Sequence, residues 1–156
     1  MTVTPDSQKL AERVASLVEA AKRAGADAAD AVAVRSRSKG VTVRLGKVES
    51  TEASESDDIS LRVFVGKRVA SVSATAASDP ASLAERAVAM AKVSPEDPYQ
   101  GLADETLLAK DTVDLDLFDP TDLSADKLRE AALEAEQAAL AVKGVTNSGG
   151  SSASAG

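Results

Sequence analysis

The chain has no cysteine and no histidine among its 156 residues. The first absence excludes disulfides, thiolate nucleophiles and cysteine-ligated zinc, and it fits a reducing compartment. The second excludes more, because no Ser-His or Cys-His couple, HExxH-type zinc site or imidazole proton shuttle can be assembled from this chain. Tryptophan is also missing, and two Phe and one Tyr are the whole aromatic complement. The 44% of hydrophobic residues suffice for a core, but Val, Leu and Ala must supply its area, so modest stability is expected. Basic residues are outnumbered, 18 against 25 acidic, which leaves a net charge of −7. No basic cluster with interleaved aromatics offsets that charge, so nucleic acid is not expected as a partner. The amino terminus has neither a basic n-region nor an apolar h-region, and no later run is long enough to span a bilayer. A cytoplasmic protein without a membrane partner is the expectation.

The most informative stretch runs from Val41 to Val72. Val41, Val43 and Leu45 form the inward face of one strand, followed by Gly46-Lys47. Ile59, Leu61, Val63 and Val65 form the inward face of another, followed by Gly66-Lys67. Glycine at the first central position of each turn predicts two type II′ hairpins. Ala31 to Ser38 reads as a preceding strand with a turn at Lys39-Gly40, and Thr51 to Asp58 reads as an acidic connection. The sum is an antiparallel meander of about five strands.

Three helices are predicted around it. The first starts at Thr4-Pro5, carries Leu10, Val14, Leu17, Val18 and Ala21 on one face, and stops at Gly25. The second starts at Asp79-Pro80 and directs Leu83, Ala84, Ala87, Val88 and Ala91 toward the sheet. The third follows Ser124, with a main stripe of Leu128, Ala132, Ala135, Ala139 and Val142; Leu133 and Leu140 lie about a third of a turn away. Asp111 to Asp122 reads as an irregular acidic connection. The fold class is α+β, with residues 1–146 as one domain and the Ser/Gly-rich 147–156 as a flexible segment leading to a further carboxy-terminal domain.

No constellation in the chain supports catalysis. Glu52, Glu55, Asp57 and Asp58 have the oxygens for a hard cation but no fixed geometry, and Asp114 to Pro120 lacks the glycine and glutamate of a calcium loop. Ser38 and Lys39, adjacent on a strand, point to opposite faces and form no dyad. We therefore assign no catalytic and no metal residue. Arg62 and Phe64 stand apart, since they place a guanidinium and an aromatic ring on the strand face opposite Leu61 and Val63. With Arg68, they are the candidates for contact with a peptide or a partner.

The order of these segments resembles the amino-terminal domain of the TldD/PmbA family. The resemblance rests on Val43 to Ser50, Ile59 to Ser71, Ala87 to Ala91, Pro95 to Tyr99, Leu115 to Pro120 and Glu134 to Leu140, and it fits the PmbA/TldE branch best. It implies an α+β domain followed by a larger carboxy-terminal domain, in a subunit that joins a TldD-like partner. Together the two subunits form a cytoplasmic zinc metalloprotease that trims unfolded peptides. The zinc ligands implied are those of an HExxxH motif in the partner, so no cofactor is expected in this chain. The family also carries an older description as a modulator of DNA gyrase, which makes a regulatory interaction module without peptidase activity the alternative.

Overall fold

Strict alternation around Leu61 and Val63 yields a strand, as expected, in the computed structural model of the chain, which describes residues 5–156 apart from 112 and 118. The elements in order are α1 (Pro5–Arg23), β1 (Ala28–Arg44), β2 (Lys47–Val65), β3 (Arg68–Thr75), α2 (Pro80–Val93), a 3-10 turn (Glu105–Leu107), α3 (Ala125–Leu140) and β4 (Ser151–Ala155). The strands form one sheet in the order β3-β2-β1-β4, with β3 and β4 antiparallel to their neighbours. This is the expected α+β meander with three helices, built from four strands rather than about five.

The difference in strand count lies in β1 and β2. No turn occurs at Lys39-Gly40, which stay inside β1, and the acidic stretch Thr51 to Asp58 stays inside β2. Cross-strand partners explain why. Arg35 Nη2 donates to Asp57 Oδ2 at 2.6 Å, the Ser36 and Ser56 hydroxyls meet at 2.8 Å, and Arg37 Nε lies 3.4 Å from Glu55 Oε1. Opposite charges placed across a ladder let a polar stretch remain extended, and a reading of β2 alone does not contain β1.

The chain divides into two units, Met1–Arg35 with Asp57–Leu115, and Ser36–Ser56 with Asp116–Gly156. In the first, Leu17 and Ala21 of α1 and Leu83, Ala84, Ala87, Val88 and Ala91 of α2 bury themselves with Ile59, Leu61, Val63 and Val72 of the sheet. These are the helix faces that the spacing predicts. Asp79 caps α2 by accepting from the Ser82 backbone N–H at 2.8 Å, with Pro80 in the first turn. α1 ends in a Schellman arrangement, in which Ala26 N–H reaches Ala21 O and Gly25 N–H reaches Lys22 O, both at 3.0 Å. Arg13 of α1 also donates to the Ala76 and Ser78 carbonyls. Thr4, expected to cap α1, lies outside the described residues.

In the second unit α3 packs Leu128 and Ala132 with Val41 and Val43 of β1, and Leu133, Ala153 and Ala155 join them. The buried stripe of α3 is Leu128, Ala132 and Glu136, whereas Ala135, Ala139 and Val142 are exposed. The expected stripe is therefore rotated toward Leu133 and Leu140, because a glutamate occupies a core position that an apolar pattern passes over. Ser124 caps α3 as expected. Residues 151–155, expected as flexible linker, form β4 and pair with Lys39–Val43.

Glu136 holds the first hairpin. Its side chain is buried, and its two oxygens accept the Leu45 and Gly46 N–H groups at 2.8 Å each. Those two residues occupy the turn with φ +49° and +76°, so the turn is type I′ and not II′, and Leu45 lies exposed in the turn instead of inward on a strand. At the second hairpin Gly66 takes the first central position with φ +58° and Lys67 has no positive φ, as a II′ turn requires. Asp27 Oδ2 accepts the Gly66 N–H at 2.6 Å. A carboxylate from outside the hairpin thus holds each glycine.

Leu45 is the less suitable of the two type I′ residues, because a branched side chain in the left-handed region is strained. Leu45→Asn should therefore raise stability by about 1 kcal/mol in urea denaturation, since left-handed strain of about 1–2 kcal/mol is relieved and little buried area is lost. Hydrogen bonds from Ser148, Gly46 and Leu45, with the charge of Arg44 adding to them, push the Glu136 carboxyl below its usual 4.5. Its contribution to stability is then complete above that value and disappears as pH falls from there through the lowered folded value. Glu136→Gln should be less stable at neutral pH, and the gap between the two urea midpoints should narrow as the pH is lowered below 4.5.

Candidate functional site

β2 alternates between two environments, and Arg62 and Phe64 fall on the face turned away from α1 and α2. Asp30 of β1 meets Arg62 as a two-pronged partner, with Arg62 Nε donating to both carboxylate oxygens at 3.1 Å and Nη2 donating to Oδ2. The hydrogen bonds to Asp30 raise the Arg62 pKa, so the guanidinium stays charged. Its carbon lies 5.3 Å from the centroid of the Phe64 ring. Phe64 is 3% exposed although it stands outside the helix-side core, so its ring is covered rather than presented.

Of the three residues singled out from sequence, the structure brings two together. Arg68 pairs across the ladder with Val65, which packs on the helix-side core. From there Arg68 donates to the carbonyls of Lys92 (3.2 Å) and Ser94 (2.9 Å) and reaches Glu96 at 3.3 Å. It satisfies the carboxy-terminal end of α2, where a cation is favoured by the helix dipole. Nothing local to Asp30 marks it as the partner of Arg62, because that pairing depends on the register of β1 against β2.

Beside Arg62 the same face forms an open hollow of about 400 Å³ lined by Val32, Val34, Asp58, Ser60, Ser73 and Thr75, among others. Val32 and Val34 are 58% and 50% exposed. The hollow offers aliphatic and hydroxyl surface with a single carboxylate, a composition suited to contact and not to bond-making. Among the described residues no three acidic side chains stand close enough to hold a metal ion. With no His and no Cys in the chain, the residues present do not fit a zinc site. Of Glu52, Glu55, Asp57 and Asp58, Asp57 and Glu55 are bound to Arg35 and Arg37. No described helix is long and apolar enough to cross a membrane.

A sequence profile described as PmbA/TldA metallopeptidase domain 1 matches residues 29–91, which take in β1, β2, β3 and most of α2. The chain belongs to the PmbA/TldD family through this first domain. A metalloprotease PmbA homolog of Haemophilus influenzae is 38% identical over 148 residues, covering 93% of this chain and 33% of the relative. The fold recurs in the crystal structure of a putative modulator of DNA gyrase from Bacteroides thetaiotaomicron, with TM-score 0.78, 20% identity and coverage of 92% of this chain and 33% of that one. It recurs also in TldE from Thermococcus kodakarensis, with TM-score 0.69, 18% identity and coverage of 91% and 32%. The chain thus spans about a third of the length of the relatives it matches.

If Phe64 is a covered ring and not an open contact, Phe64→Ala should behave as a core deletion. We expect a loss of about 3–5 kcal/mol by urea denaturation. Arg68→Met should lower the melting temperature while leaving the Arg62–Asp30 pair intact, as read from unchanged side-chain NMR signals of Arg62.

Proposed function

We propose that this domain is the non-catalytic first domain of a PmbA/TldE-type subunit in a zinc metalloprotease complex that processes unfolded peptides. The observation that supports this reading is the combination of a match to a metallopeptidase family domain with a chain that has neither His nor Cys. In this reading the zinc and the hydrolytic groups come from a TldD-like partner subunit in the cytoplasm. This domain supplies walls and interfaces, including those toward the subunit's own carboxy-terminal domain. The exposed face with Val32, Val34 and the Arg62–Asp30 pair is the surface we assign to that contact. Its mixture of aliphatic area and a satisfied ion pair suits a protein neighbour better than a charged small molecule.

A second reading, a regulatory module directed at DNA gyrase, is favoured by the names of two solved structures of this fold. A net charge of −7 spread along the chain is weak mimicry of nucleic acid, and this reading ranks second.

Purified residues 1–156 should leave an unfolded peptide uncut with or without added zinc, and the subunit that contains them should co-purify with a histidine-bearing TldD-like chain. Zinc-dependent cleavage by residues 1–156 alone would overturn the proposal. Co-purification with gyrase and not with a TldD-like chain would favour the second reading.

A further inference from the structure

β3 stands at the end of the sheet, so one side of its backbone bonds to β2 and the other faces no strand among the described residues. No described backbone group outside β2 bonds to Val69 through Ala74. Exposed edges are normally guarded by lysine, proline, a bulge or an inward charge, because an unguarded one pairs with another extended chain. Val69-Ala70-Ser71-Val72-Ser73-Ala74-Thr75 carries no charge and no proline, and its unbroken register with β2 leaves no bulge. Arg68, at the start of the strand, is turned to the end of α2. Ala70 and Val72 anchor the strand in the helix-side core, while Ser71, Ser73 and Thr75 are exposed on the opposite face.

The hollow of about 400 Å³ begins at this edge. Ser73, Ala74 and Thr75 line it on the β3 side, and Asp58, opposite Thr75 in the ladder, stands beyond them on β2. In the next row the Ser73 hydroxyl donates to the Ser60 hydroxyl at 3.3 Å, so short side chains form the floor. Asp58 is exposed and has no hydrogen-bond or ion-pair partner among the described residues, whereas Asp30, Asp57 and Glu55 each hold an arginine. A strand added beyond β3 would lie about 5 Å from it, which puts Asp58 about 10 Å from the added backbone. Only a long side chain crosses that distance, and Ser73 and Thr75 are small enough for its methylenes to lie over them. A cationic end then meets the free carboxylate.

We propose that the free edge of β3 binds an extended peptide that lays a lysine or arginine across Thr75 and against the Asp58 carboxylate. Main-chain bonds to alternate residues of β3 hold the peptide, and the cationic side chain sets its register. The net charge of −7 favours such an occupant over an acidic one. The choice of a peptide as occupant rests on the peptide-processing reading above, and the site adds to it a basic residue as the feature selected. The cation enters from the β3 side and leaves Val32 and Val34, on β1, to the protein neighbour.

Binding is read without cleavage, so a failed pairing and a failed peptidase role are separate results. The probe is the acetylated and amidated peptide Thr-Val-Thr-Lys-Thr-Val-Thr, compared with the same peptide carrying Glu in place of Lys, at about 0.15 M salt. With saturating lysine peptide, alternate amides between Val69 and Thr75 should exchange at least about threefold more slowly. The glutamate peptide should bind about fivefold more weakly, and Asp58→Asn should reduce that ratio below about twofold. Equal binding of the two peptides, or protection absent from β3, would overturn the proposal. So would a preference for lysine that survives Asp58→Asn unchanged, which assigns it to the overall charge. Protection of β3 that needs no peptide and grows with protein concentration would overturn it as well, by assigning the edge to a second copy.

Discussion

The pairing of β1 with β2 is the constraint on which the rest of this domain depends. The two strands run for 17 and 19 residues, and both units draw their sheet from them. In one unit α1 and α2 cover one portion of the ladder, and in the other α3 covers another. Helices rich in alanine bury little area per residue, so each needs a wide flat partner to gain enough apolar contact. An uninterrupted ladder provides it. Its polar middle persists because Arg35, Ser36 and Arg37 meet Asp57, Ser56 and Glu55, although exposed ion pairs of this kind contribute little stability individually. Their role is to keep register, since a slip of one residue turns the side chains of one strand to the opposite face and separates these pairs.

The two hairpin turns follow from the same economy. A domain with three aromatic residues cannot rely on large side chains to clamp its strand ends. Asp27 and Glu136 do so instead, each accepting the N–H of a turn glycine. Glu136 also accepts the N–H of Leu45, so the strained residue of the type I′ turn is held by the group that satisfies its backbone. A carboxylate bonded in this way is stabilising where a buried unpartnered one would be costly.

Local chemistry made much of the fold legible. Asp79-Pro80, Ser124 and the stripes of α1 and α2 act through neighbours within a few residues, and those elements stand where they are expected. Lys39-Gly40, Thr51–Asp58 and residues 151–155 resemble a turn, a loop and a linker by composition. Each is drawn into the sheet by a partner distant in sequence. Glu136 escapes an apolar pattern for a related reason, since two of the groups that justify its burial are backbone N–H groups some ninety residues away. At the candidate site, strand alternation placed Arg62 and Phe64 on one face. Asp30, and the diversion of Arg68 to the end of α2, depend on tertiary contacts that alternation does not encode.

In the role proposed for this domain the sheet provides shape. That role requires β1 and β2 to stay paired through their charged middle. Cross-strand NOEs between the Ser36 and Ser56 Hα protons, with slow amide exchange around them, test this most directly. We predict that both are present in the folded chain at neutral pH. Absence of the NOE together with fast exchange across residues 51–57 would contradict the unbroken ladder and restore a loop between two shorter hairpins.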